Sequence, residues 1–298
     1  MRLRGFRRAL PALVVALLLV TAGCSLPGGG EQSPTTAPGE SPSPVPTDGS
    51  PTGTAGDVAV PGVEDGRLVD AEALATAHAE ALTASSFETR RVQNASVVVP
   101  TGPNSSQVAR TAIVQQVVAG EGGSPYRYQQ TDSATGFRLQ AWGNDSVRVF
   151  RALQGDEVVR PPSVGESEPV SSLVSQRSLR AYLESGNFTV QETTTRNGTT
   201  LVTLTADELA VENDSDLFVR GSSDYEEYDA TVVVSESGVV RSLELSATYD
   251  LRGERRDLAI TYEVVRQGGV EFEQPEWAAR ALAAATPTEE PVQTSTPT

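Results

Sequence analysis

Cys24 and His78 are each the only residue of their kind in this 298-residue chain, and together they bound the chemistry it can perform. A lone cysteine permits no internal disulfide and leaves one thiol open to alkylation or nucleophilic chemistry. A lone histidine excludes the usual histidine-based metal centres, so no metal is expected. Any nucleophile–His–acid triad would have to use His78, which lies in an alanine-rich stretch with no G-x-S-x-G turn in the chain. There is no Walker-type phosphate loop either, and no cofactor is implied. Carboxylates, by contrast, are plentiful: 39 Asp and Glu face 23 basic residues, all of them arginine, for a net charge of −16. Among so many acids, a neighbouring pair such as Glu226 and Glu227 says little about glycosidase chemistry, which needs two carboxyls at a fixed separation. The acidic runs 212–216 and 224–229 lack the ligand spacing of an EF-hand and read as solvated surface. So negative a field repels phosphate backbones, and no nucleic-acid partner is expected. The expectation is a non-catalytic protein.

What surrounds Cys24 is more specific. Met1 to Arg8 is basic, with Arg2, Arg4, Arg7 and Arg8, and leads into the apolar run Ala9 to Val20. That run is too short to cross a bilayer comfortably and suits the apolar region of a signal peptide, residues 1–23. Thr21-Ala22-Gly23-Cys24 then resembles the lipobox of bacterial and archaeal lipoproteins, although Thr21 stands where leucine is more usual. The resemblance implies that the Cys24 thiol carries a lipid and becomes the first residue of the mature chain. Arg7-Arg8 with Ala9 and Leu10 also resembles a twin-arginine signal. Phe6 departs from that pattern, so the general and twin-arginine export routes both stay open. The expected location is the extracytoplasmic face of a membrane, held by the lipid anchor.

Beyond the cysteine, Pro, Gly, Ser and Thr fill 24 of the 32 positions from Ser25 to Gly56. Such a segment buries too little apolar surface to offset its ordering entropy, and 24–62 reads as a lipidated, disordered stalk. A similar tail occupies 284–298, leaving one domain over 63–283. High acidity without lysine resembles proteins of salt-loving archaea, in which screening relieves the self-repulsion.

The domain opens with a helix: Asp70 is a good N-cap, and Ala71 to Ala84 is alanine-rich, with Leu74, His78 and Leu82 on one stripe. After Phe87 the period changes to two. Val239 to Leu251 alternates an apolar odd face with a polar even face, and Leu258, Ile260, Tyr262 and Val264 repeat the pattern after a turn at 252–256. Other hairpins are signalled at Arg196-Asn197-Gly198, at Ser237-Gly238, and at Gly143-Asn144-Asp145 between Phe137–Trp142 and Val147–Ala152. Ser96–Pro100 and Ala112–Val118 suggest one more pair. A second helix is expected over 170–185, capped by Gly186, with Leu173, Leu179, Tyr182 and Leu183 inward. The fold class is α+β, built on a large antiparallel sheet. Six sequons, at Asn94, Asn104, Asn144, Asn187, Asn197 and Asn213, suit an exported surface and fall near expected turns and strand ends.

A leading helix with Leu74, Ala77, Ala81 and Leu82, then Ser85-Ser86-Phe87 entering a long strand, resembles the start of LolA-like lipoprotein carriers and of the mycobacterial glycolipid-carrying lipoproteins. Val270 to Pro275 resembles their final short strand and proline. The chain as a whole looks like an uncharacterised group of haloarchaeal lipoproteins. The resemblance implies a curved, unclosed half-barrel with helices over its concave face and an apolar pocket between them. Leu74, Leu82, Leu243, Leu245, Tyr249, Leu258, Ile260 and Tyr262 are the expected lining. Alternation alone fits a filled core as well as a hollow one. Two functions therefore stand: a membrane-tethered carrier of a lipid or other apolar ligand, and an envelope structural, interaction or sensor module with a packed core and a protein partner.

Overall fold

The computed structural model describes residues 59–102, 104–196, 198–210 and 217–285. The signal segment 1–23, Cys24, the stalk to residue 58, Asn197, Asn213 and the tail from residue 286 lie outside the described residues. At both ends the packed part extends slightly past 63–283: Val60 is buried in the core and the last helix reaches Ala285.

Two short strands, β1 (Val63–Glu64) and β2 (Arg67–Leu68), precede helix α1 (Ala71–Thr83). A six-strand meander follows, comprising β3 (Phe87–Gly102), β4 (Ser105–Ala119), β5 (Tyr126–Asp132), β6 (Phe137–Gly143), β7 (Val147–Gln154) and β8 (Glu157–Glu166). Helices α2 (Val170–Leu173) and α3 (Gln176–Glu184) lead into a second meander of β9 (Thr189–Arg196), β10 (Thr199–Ala206), β11 (Ser222–Ser235), β12 (Val240–Leu251) and β13 (Glu254–Gln267). Helix α4 (Glu276–Ala285) comes last. Among the described residues the thirteen strands form one open antiparallel sheet, in the order β1-β2-β9-β10-β11-β12-β13-β3-β4-β5-β6-β7-β8. The meanders meet at a seam where β13 returns to β3, from Ala259 opposite Asn94 to Gln267 opposite Phe87. The class is α+β, dominated by the antiparallel sheet.

Helix α1 starts where its cap dictates: the Asp70 carboxylate accepts the Ala73 N–H at 2.8 Å. Leu74, His78 and Leu82 are fully buried along its stripe. On β12, Leu243, Leu245, Ala247, Tyr249 and Leu251 are buried while Glu244 and Ser246 face solvent. The expected alternation fails only at its start. Val233 lies opposite Ser242 but Val234 opposite Val240, so Arg241 is the extra residue of a bulge and Val240 turns inward in its place. The five-residue turn expected at 252–256 shortens to Arg252-Gly253, with φ of +58° and +79°, a two-residue turn whose twist matches the strands it joins.

Other expectations need correction. The pieces 96–100 and 112–118 are parts of the much longer hairpin β3–β4. The helix expected over 170–185 breaks at Ser175, whose φ of +55° separates α2 from α3. Gly186 is no left-handed cap: a Cβ there would lie 2.7 Å from Tyr228 Oη and 2.8 Å from Ala206 Cβ, so the residue is small because the backbone packs closely. Residues 270–275 form no strand, and the chain turns instead into α4. That helix packs on Trp142 and Val149, the sheet face opposite Leu139, Ala141 and Phe150, so the helices do not all cover one face. Strands β1, β2, β5 and β8 add to the expected set, and β1 and β2 precede the helix with which the domain is expected to open. Pro161 and Pro162 obscure β8, and they are tolerated because that strand is an edge.

Candidate ligand cavity

A hollow of about 530 Å³ lies over the first meander, between the inward face of β3–β8 and the helix pair α2–α3. Its shape follows from side-chain size along three adjacent strands. Tyr126 faces Gly143, which faces Arg148, while Tyr128 faces Ala141, which faces Phe150. Strand β6 thus sets small residues between two rows of large ones, and the floor dips along it. Gly143 is required there, since a Cβ would lie 2.5 Å from Tyr126 Oη. The roof is equally undersized: α2, α3 and their junction contribute Ser171, Ser172, Ser175 and Ser178. Leu173 and Val174 fasten that roof to Leu82, Phe87, Val117 and Tyr126.

Polar groups are concentrated in the walls. Four arginines (Arg91, Arg148, Arg160 and Arg177) line the cavity with a single carboxylate, Glu168, which pairs with Arg148. Arg91 Nη1 donates to Tyr182 Oη at 2.8 Å. The guanidiniums of Arg160 and Arg148 stack on Phe150, 4.6 Å and 5.4 Å from its centroid. Tyr128 Oη and Gln115 Nε2 both donate to Gln130 Oε1, at 2.8 Å and 2.9 Å. Burial raises the pKa of Tyr126 and of Tyr128, against the opposing charges of Arg148 and Arg91 respectively, so both remain neutral hydroxyls. Tyr126 Oη and Arg148 Nε are buried with no hydrogen-bond partner among the described residues.

None of the eight expected lining residues borders this cavity. Leu74, Leu243, Leu245, Tyr249, Leu258, Ile260 and Tyr262 belong to one packed core, and Leu82 to the cluster beneath α2; all eight are at most 3% exposed. The reason is the occupancy of the face over the second meander, where α1 presses Leu74 and His78 onto the sheet. Tyr249 Oη lies 2.7 Å from both N and O of Ser96, serving backbone groups beyond the end of the β13–β3 ladder.

His78 is equally structural. The Val240 N–H donates to its Nδ1 at 3.1 Å, which places the proton on Nε2, and Nε2–H donates to Tyr262 Oη at 2.9 Å. Burial first, and Arg241 second, lower its pKa to about 4. Glu226 accepts from Arg255 at 2.6 Å, on a stretch of β11 bent by bulges, with Asp224 and Glu227 at positive φ.

Of the sequons, Asn104 and Asn187 are exposed between elements. Asn144 closes the β6–β7 turn, its Oδ1 accepting from Ser146 and Val147. Asn94 departs from the expected turn location, sitting mid-sheet between Ala112 and Ala259. No described helix is long and apolar enough to cross a membrane.

The sequence could have pointed to the cavity through Tyr126-Arg127-Tyr128 and the serines of 171–178, but nothing local distinguishes a hollow from a filled face. No curated protein matches the chain. The profile of a family of unknown function (DUF7537) matches residues 9–281, nearly the whole length, and the chain belongs to that family.

Proposed function

We propose that this protein is a membrane-anchored extracytoplasmic lipoprotein whose domain binds or carries a lipid or other apolar ligand, without catalysis. The observation that carries this reading is the hollow of about 530 Å³ under α2–α3, within the range of about 300–1,000 Å³ usual for small-molecule sites. An open antiparallel sheet with α1–α3 on one face supports the half-barrel likeness to LolA-like carriers, with the pocket moved to the first meander. The lipobox-like Thr21-Ala22-Gly23-Cys24 supports the anchor. Native mass spectrometry with organic extraction on the full chain, purified from its own host, tests the carrier reading. A reproducible bound lipid is expected, and a chain that stays empty when challenged with lipids overturns it. The anchor is tested by Cys24→Ser, which should release the protein into the medium; retention in the membrane fraction refutes lipidation.

The dense packing of Leu243, Leu245, Ile260 and Tyr262 favours a second reading, an envelope interaction or sensor module with a protein partner. Co-isolation of one stoichiometric envelope protein with a lipid-free chain would select it.

A further inference from the structure

We propose that the cavity takes an anionic amphiphile, its carboxylate or phosphate held by Arg148, Arg160 and Arg177 and its apolar chain lying against Leu139 and Phe150. The proposal rests on the carrier reading and names the class of ligand. Three observations lead to it. The first is charge placement. In a chain of net charge −16, four arginines border one hollow that contains one carboxylate. Elsewhere some arginines pair with acids, as Arg180 does with Glu72 and Glu184, and others such as Arg110, Arg127 and Arg252 are in no ion pair among the described residues, so what sets the cavity apart is the gathering of four arginines at one hollow. No ion pair among the described residues involves Arg160 or Arg177.

The second is orientation. Stacking on a ring uses the face of a guanidinium and leaves its in-plane N–H groups to donate, the geometry that suits a carboxylate or phosphate. Arg160 and Arg148 both lie over the Phe150 ring, 4.6 Å and 5.4 Å from its centroid, so two guanidiniums share one apolar platform. The third is the pair of unpartnered buried groups, Tyr126 Oη and Arg148 Nε. Such groups are rare in folded proteins, and three others lie away from the cavity, at Asp132 Oδ2, Ser163 Oγ and Arg256 Nε, so this pair adds to the charge placement and does not stand alone. A hydrocarbon alone would leave both unsatisfied, whereas an anionic headgroup supplies several acceptors. A free anion would in turn leave the half-buried Leu139 side chain and the uncovered part of the Phe150 ring without apolar contact, so a headgroup joined to a chain fits the cavity better than either alone.

The test uses the full chain in nanodiscs of phosphatidylcholine, with a diazirine-bearing fatty acid and its methyl ester as probes. After photolysis, labelled peptides are mapped by mass spectrometry. The acid is expected to label the peptides of β5–β7 and α2–α3 well above the ester, with competition by unlabelled fatty acid and none by inorganic phosphate. The double variant Arg160→Gln/Arg177→Gln changes only exposed side chains. It should lower acid labelling at least about tenfold, as expected for losing charge-assisted hydrogen bonds, and leave ester labelling unchanged. Tyr126→Phe keeps the ring and should also reduce acid labelling selectively. Equal labelling by acid and ester, unmoved by these variants, overturns the anionic headgroup while leaving the carrier reading in place. Displacement of the acid by inorganic phosphate as effective as by fatty acid overturns the amphiphile in favour of a free-anion site. If neither probe reaches the cavity peptides, the carrier reading itself fails.

Discussion

His78 makes the stability of this protein depend on pH in a window where few of its other groups titrate. In the folded chain burial, and after it the charge of Arg241, lower the pKa of its imidazole to about 4, and the neutral ring accepts the Val240 N–H at Nδ1. In the unfolded chain it returns to the ordinary value of 6.5. A depressed histidine favours the fold fully above the unfolded pKa, and that contribution is lost as pH falls toward the folded one. Below pH 6.5 the unfolded chain takes up a proton that the folded chain refuses. Integrating between these values, the fold loses about 2 kcal/mol between pH 7.5 and pH 5, and tends to about 3 kcal/mol well below pH 4. The upper window is the informative one, since most of the 39 carboxylates titrate below it. The assay is urea denaturation at several pH values across it, for the wild type and for His78→Gln, which keeps polarity but cannot titrate. The variant is expected to be weaker at pH 7.5 yet nearly flat with pH, so the two curves converge on acidification. Parallel curves would refute the neutral, hydrogen-bonded assignment.

Two further substitutions separate the packed core from the cavity. Leu243→Ala removes a fully buried side chain from the main core and should cost about 2–5 kcal/mol, whereas Leu139→Ala, at a partly exposed cavity wall, should cost about 1 kcal/mol or less; equal losses in denaturant midpoint would mean the hollow is filled in solution. Gly143→Val places a Cβ against Tyr126 Oη and should lower stability by about 1–3 kcal/mol while displacing the Tyr126 ring, seen as a lower Tm and loss of photolabelling at β5; an unchanged Tm would show that the ring does not lean on that glycine.

How much of this was legible depended on whether the signal was local. The cap at Asp70 and the alternation of β12 and β13 are properties of consecutive residues, and each leaves a periodic trace. The split at Ser175 leaves none, because a single left-handed residue interrupts a helical pattern that is otherwise continuous. Helix α4 does leave a local trace, since Pro275, Glu276 and six alanines between 278 and 285 are a helix start and a helix body, but the likeness of Val270–Pro275 to a terminal strand masks it. The cavity was the least accessible feature. Its residues come from β3 through α3, and which apolar face stays hollow depends on what the covering helix carries. Leucines and a histidine on α1 fill one half of the sheet, while serines on α2–α3 leave the other half open. Period two identifies both faces as inward and cannot rank them.

The arginines of the cavity also give the acidic surface a physical consequence. At about 1 M salt the Debye length shrinks to about 3 Å, and exposed charges stop sensing one another beyond contact. The carboxylates outside would then neither repel an approaching anionic amphiphile nor neutralise the guanidiniums at a distance. Groups in a partly buried hollow are screened much less, so Arg148, stacked on Phe150 and paired with Glu168, keeps its attraction at short range. On the proposed reading, salt should raise the association rate of an anionic ligand by removing the surface barrier, while its dissociation rate changes little. In low salt the same net charge of −16 should slow capture. Stopped-flow binding of the fatty acid across a salt series distinguishes this from a surface-bound ligand, for which salt would accelerate dissociation instead.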